Sequence, residues 1–174
     1  MSGIVTLVGN PRGGSRTYDA AVRAAGTVAG LLGRDGAGEV VDLAGLAPLL
    51  LKPGASSAVE IALEQVAEAE VLVVAGPTYK GTYTGLLKVF LDRLPGGALA
   101  GTVALPLLVM GDARHAPAVE VHLRPLLVEL GATVPTPGLA LLESHLADLD
   151  GHLGPWAARV APQVAAALRE GARA

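Results

Sequence analysis

Residues 4–17 read Ile4-Val5-Thr6-Leu7-Val8-Gly9-Asn10-Pro11-Arg12-Gly13-Gly14-Ser15-Arg16-Thr17: an apolar run of strand length, a Gly/Pro turn, and hydroxyl residues suited to open a helix. Ile4–Val8 is nearly continuous in apolar character rather than alternating, the pattern of a strand covered on both faces, as in a parallel sheet. Val71–Ala75 and Val103–Val109 repeat it, and weaker runs follow at Glu39–Asp42 and Leu139–Leu142. Between them lie segments with helical periodicity: Thr17–Leu32, Ala58–Glu68, Gly85–Leu94, Ala118–Leu130 and Trp156–Arg169. Gly26 and Gly30 weaken the first by roughly 1 kcal/mol each. Glu60, Glu64 and Glu68 share one face of the second. Pro125 kinks or ends the fourth, and Gly131 reads as its C-cap. Strand and helix alternate throughout, and right-handed crossovers then give a three-layer α/β fold. Its five-stranded parallel sheet is expected in the order 2-1-3-4-5, with ligands outside the carboxyl ends of strands 1, 3 and 4. One domain over residues 1–174 is enough; no internal repeat or interdomain linker is visible.

Composition narrows the function. Of the 174 residues 51% are apolar, enough for a sizeable core, but only 3% are aromatic, so Val, Leu and Ala must fill it. A net charge of −3 with no basic stripe argues against a nucleic-acid partner. The absence of cysteine excludes disulfides, thiolate metal sites and Cys nucleophiles. His115, His122, His145 and His152 lack paired zinc spacing and read as surface or loop-end residues, so no metal is expected. The start of the chain enters a strand at once, without the basic and apolar regions of a signal peptide. Leu99–Met110 contains Gly101 and Pro106 and is too short to span a bilayer. A soluble cytoplasmic protein with no membrane partner is the expectation.

Two loops carry ligand chemistry. After strand 1, small residues and amides at a helix start favour a phosphate. Asn10, Ser15 and Thr17 add neutral donors, and Arg12 and Arg16 charged ones. The competing reading is a plain Gly-Pro turn with Ser15 or Thr17 as an N-cap. Gly9 and Gly14 have P-loop spacing, but Ser15-Arg16 stand where Lys-Ser/Thr is needed, and strand 3 offers no Asp for magnesium. No G-x-G-x-x-G opens the helix, so a Rossmann dehydrogenase is also disfavoured. After strand 3 comes Gly76-Pro77-Thr78-Tyr79-Lys80-Gly81-Thr82-Tyr83-Thr84-Gly85, with two of the three tyrosines. Such a loop supports a flat ring system, or is simply a well-ordered turn.

Taken together, Gly9-Asn10-Pro11-Arg12 with Ser15-Arg16-Thr17, then Pro77 through Leu86-Leu87-Lys88, Leu91-Asp92-Arg93-Leu94-Pro95 and Ala118 through Leu126, resemble the NADPH-dependent FMN reductase family. Within this flavodoxin-like family the resemblance is strongest to the FMN reductases of sulfonate utilisation. It covers about three-quarters of the chain in matching order, and the second loop is its most specific element. The resemblance implies that Asn10, Arg12, Ser15, Arg16 and Thr17 cradle the FMN phosphate. It assigns Pro77, Thr78, Tyr79 and Lys80, with Tyr83 nearby, to the isoalloxazine. A third loop, Met110-Gly111-Asp112-Ala113-Arg114-His115, borders the ring from the other side, which adds Gly111 and Asp112. There the chain departs from the family, which commonly has a Gly-Gly pair. Gly111–Pro125 is also one residue shorter than in the most similar subgroup. Some of its members hold an extra residue in the next helix as a π-type bulge at an assembly interface, and the shortening implies that this bulge is absent here.

The implied reaction is hydride transfer from NAD(P)H to FMN, with reduced flavin supplied to a partner monooxygenase. The cofactor carries the chemistry, so no catalytic side chain is nominated. The alternatives are an FMN-retaining quinone or azo-type reductase and a flavin-binding electron carrier without NAD(P)H turnover, although carriers are usually more acidic. A receiver-type signalling domain would need clustered Asp residues where this chain has Asn10 and Pro77-Thr78. Relatives are commonly dimers or tetramers, so a homodimer or homotetramer is expected, with helix Gly85–Leu94 and the helix after the third loop as contact surfaces.

Overall fold

The structure, a computed structural model, describes residues 2–171, so the expected domain of 1–174 extends past its described ends at Met1 and at residues 172–174. β1 (Ser2–Val8), β2 (Glu39–Asp42), β3 (Ala69–Pro77), β4 (Val103–Met110) and β5 (Leu139–Leu142) form one parallel sheet in the order β2-β1-β3-β4-β5. This is the expected flavodoxin-like topology. Every residue of β4 is buried, and β3 is buried from Val71 to Gly76, which is why their sequences lack a polar alternation. The register pairs Val8 with Ala75, Pro77 with Val109 and Met110 with Leu142. The loops leaving β1, β3, β4 and β5 therefore emerge side by side.

Two helical layers cover the sheet. α1 (Arg16–Leu31) and α6 (Leu149–Gly171) share one face, where Ala20, Ala21, Ala24, Ala25, Val28 and Ala29 meet Leu153, Trp156, Val160 and Val164. α2 (Leu43–Leu50), α3 (Ser57–Ala67), α4 (Gly85–Leu91) and α5 (Arg124–Glu129) cover the other, around the fully buried Phe90. Gly26 and Gly30 of α1 lie off its buried face, so their cost is in helix propensity and not in packing.

Helix ends differ from expectation in instructive ways. α6 begins at Leu149, not Trp156. The buried series Leu149, Leu153, Trp156, Ala157, Val160, Ala161 and Val164 carries the helical period straight through Pro155, so packing outweighs the lost hydrogen bond. α4 stops at Leu91, short of Leu94, because Pro95 disfavours helical backbone just before it. α2 was not anticipated; Asp42 caps it, its carboxylate accepting from the Ala44 amide at 3.0 Å.

The largest correction lies after β4. The expected bulge-free helix from Ala118 is instead a π-helical turn, Val119–Leu123, running into α5. Pro125 supplies the physical reason. In a regular α-helix its ring would press on the Val121 carbonyl and it offers no N–H, whereas a wider turn absorbs both defects. The turn is braced from outside. Arg124 donates Nη1 to the Val134 carbonyl at 2.6 Å and Nη2 to that of Thr136 at 2.5 Å. Glu120 accepts from Arg124 Nε at 2.5 Å and from the Gly138 amide at 2.6 Å. The Arg124 guanidinium thereby holds the Glu120 carboxyl below the usual carboxylate range.

Candidate functional site

The loop from Gly9 to Ser15 opens α1 at the carboxyl end of β1, and its shape is set by its own side chains. Asn10 is buried; its Oδ1 accepts from the Arg12 amide at 2.9 Å and its Nδ2 donates to Thr17 Oγ1 at 3.3 Å. Ser15 is the N-cap, with Oγ accepting from the Tyr18 amide at 3.2 Å, and its carbonyl accepts from Asp19. This capping does not compete with anion binding. The amides of Gly13, Gly14, Ser15, Arg16 and Thr17 donate to no acceptor among the described residues. Orphan donors at a helix start, backed by the helix dipole, are an anion site.

The second loop is a tight hairpin. Tyr79 and Thr82 exchange backbone hydrogen bonds at 2.8 and 3.4 Å, with Lys80 and Gly81 between them at φ 56° and 80°. Two positive φ values in succession define a type I′ turn. Lys80 is the one non-glycine residue with positive φ among those described, a cost of about 1–3 kcal/mol carried at the tip. The Thr78 amide is spent on the Val109 carbonyl at 2.8 Å and that of Tyr79 on Thr82, so within the Thr78–Thr82 hairpin only the tip amides of Lys80 and Gly81 are without backbone acceptors.

One buried hydroxyl joins the two loops. Thr84 Oγ1 donates to the Gly9 carbonyl at 2.6 Å and accepts from the Leu87 amide at 3.1 Å, capping α4 in the same act. Gly9 sits so near α4 that a Cβ there would stand 2.7 Å from Leu87 Cβ. The third loop follows β4. Asp112 accepts from the Arg114 amide at 2.9 Å and from its guanidinium at 2.5–3.1 Å, which lowers the carboxyl to about 2. Its charge is thus engaged within its own loop. His115 Nδ1 lies 3.3 Å from Thr78 Oγ1 and ties the third loop to the second.

A cleft of about 480 Å³ opens between these loops, lined by Asn10, Arg12 to Thr17, Pro77, Tyr79, Val109 and Glu143. Of the residues named from sequence it gathers Asn10, Arg12, Ser15, Arg16, Thr17, Pro77 and Tyr79. Thr78, Lys80, Gly111 and Asp112 do not line it, and Tyr83 packs against the core. Glu143, which lines the cleft and pairs with Arg16 at 3.0 Å, was not anticipated, nor were Thr84 and His115 as links between loops. A larger cavity of about 600 Å³ lies at the opposite end of the sheet, but its one cation among the described residues, Arg34, is bound to Glu70 at 2.7 Å. Ligand chemistry favours the cleft at the strand carboxyl ends. Among the described residues no group of three or more His, Asp or Glu is placed to hold a metal, and no helix is long and apolar enough to cross a membrane.

A doubly wound parallel sheet of order β2-β1-β3-β4-β5, with a helix start rich in unpartnered amides beside a tight hairpin at its carboxyl end, defines a flavodoxin-like domain. Known proteins agree. The family model described as NADPH-dependent FMN reductase matches residues 3–146. An FMN reductase (NADPH) of Escherichia coli (strain K12) is 37% identical over 147 residues, spanning 83% of this chain and 75% of that protein. An NADH-dependent FMN reductase, SfnF, of Pseudomonas fluorescens (strain Pf0-1) is 34% identical over 102 residues, 59% of this chain and 54% of that protein. Among solved structures, the apo form of an NADH:FMN oxidoreductase (EMOB) superposes with a TM-score of 0.82 at 30% identity, covering 92% of this chain and 89% of that one. This chain belongs to the NADPH-dependent FMN reductase family and is an oxidoreductase that works with FMN and NAD(P)H.

Proposed function

We propose that this chain takes up FMN at the Gly9–Thr17 loop, reduces it with NAD(P)H and releases it to a partner monooxygenase. The observation that carries the site assignment is the run of unpartnered amides from Gly13 to Thr17, flanked by Arg12 and Arg16 and facing the Pro77–Thr82 hairpin across one cleft. These residues fit FMN: donors for its phosphate at one end, and Pro77 and Tyr79 as a surface for its ring at the other. Bound there, FMN supplies a hydride acceptor for the nicotinamide. The protein's own work is orientation. Thr84 fixes the spacing between the two loops, the I′ turn presents the tip amides of Lys80 and Gly81, and His115 steadies the third loop against Thr78. Arg12, which forms no ion pair among the described residues, is the cation free to meet an incoming phosphate.

One domain carries the whole reaction, in the cytoplasm, and the assembly is a homodimer or homotetramer. The test mixes purified protein with FMN and either NADH or NADPH and follows nicotinamide absorbance. Oxidation that requires FMN is expected, and no turnover with either donor overturns the proposal. Arg12→Ala is expected to raise the FMN KM roughly ten- to a hundredfold, the worth of one charge-assisted hydrogen bond, with kcat little changed. Flavin that stays with the protein through gel filtration would instead favour the FMN-retaining quinone or azo-type reductase.

A further inference from the structure

We infer that Glu143 is the residue that keeps FMN exchangeable, by competing with the flavin phosphate for Arg16. The inference rests on the proposed phosphate cradle at the start of α1.

Arg16 is the first residue of α1, and its Nη2 donates to Glu143 Oε2 at 3.0 Å. The partners are 127 residues apart, so this pair is a product of the topology: Glu143 is the first residue beyond β5, whose register against β4 brings it to the mouth of the cradle. Both side chains line the same cleft as Arg12, Ser15 and Thr17. They are also well exposed, at 67% and 52%, and an ion pair so hydrated adds little to folding stability. Structural need therefore does not account for a carboxylate in an anion site.

Its effect on a ligand is direct. Among the described residues, a phosphate entering the cradle meets one cation without an ion pair, Arg12, and a second, Arg16, already neutralised by Glu143. To engage Arg16 it must displace the carboxylate or share the guanidinium with it, at the cost of repulsion between two anions. The cradle thus discriminates against tight retention of a phosphorylated flavin while leaving the ring-binding hairpin untouched. Loose binding of that kind suits a flavin that is a substrate and leaves after each turnover.

The test compares Glu143→Gln with the wild type by flavin fluorescence titration, using FMN and riboflavin in parallel. Riboflavin has the same ring and no phosphate. Glu143→Gln is expected to tighten FMN about tenfold, slow its dissociation, and leave riboflavin unchanged. In an Arg16→Ala background the same substitution should lose most of its effect, since the contested cation is gone. Weaker FMN binding in Glu143→Gln would show that Glu143 positions Arg16 for the phosphate, and would overturn the inference. Equal shifts for FMN and riboflavin would overturn it as well, by placing the effect at the ring. Wild-type protein that binds neither flavin would be a failure of the cradle itself, distinct from either result. An unchanged midpoint of thermal unfolding confirms that the variant is folded.

Discussion

Thr84 does with one hydroxyl what two loops need in order to face each other. It is buried, donates to the Gly9 carbonyl and accepts from the Leu87 amide. Thr84→Ala removes both bonds and leaves the carbonyl and the amide unsatisfied in a dry site, a loss of about 2–3 kcal/mol. A urea titration should show that loss, and Thr84→Ser should recover most of it. At this scale the sequence was legible where chemistry is local. Asn10, Ser15 and Thr17 act on backbone a few residues away, and their neighbours name them. Glu143 was illegible for the opposite reason: nothing near it in the chain announces a partner 127 residues earlier. Asp112 shows an intermediate case. Its position beside a ligand loop suggested a binding role, whereas Arg114, two residues on, already occupies both carboxylate oxygens.

Among the elements, the π turn at Val119–Leu123 is the departure with most physical content. Sequence length across Gly111–Pro125 argued against it, but length is a count relative to other chains, and Pro125 is a steric fact within this one. The turn survives because Arg124 and Glu120 bracket the segment from Val134 to Gly138 that leads into β5. Arg124→Ala should destabilise the protein by about 1–3 kcal/mol, since the carbonyls of Val134 and Thr136 lose a charged donor together. Hydrogen exchange should show the gain in mobility concentrated in residues 131–142 and not in β1 or β3. Strand limits were well read, because burial on both faces writes an unbroken apolar run. Helix limits were read less well, because Pro48, Pro125 and Pro155 all sit inside or beside helices whose packing overrides the local breaker.

For the molecule as a whole, alternation and handedness gave the doubly wound class, and the five-strand rhythm favoured the order that the structure has. The assembly could not be read in that way, because a contact between copies leaves no period in the chain. Val121 and Val128 are exposed by 59% and 54%, on the π turn and on α5. If that face joins subunits as proposed, Val121→Asp with Val128→Asp should lower the mass measured by light scattering to that of the single chain. FMN affinity should then change little, since neither residue lines the cleft.

The alanine-lined face of α1 has a consequence for accuracy at the ligand end. Alanine has no rotamers, so Ala20, Ala21, Ala24, Ala25 and Ala29 seat the helix on the sheet and on α6 by backbone shape alone, without side-chain adjustment. The unpartnered amides at its start are the continuation of that same rod. Their aim is inherited from a bearing surface with no play in it, which is how a chain so poor in aromatic residues still points a set of donors at one spot.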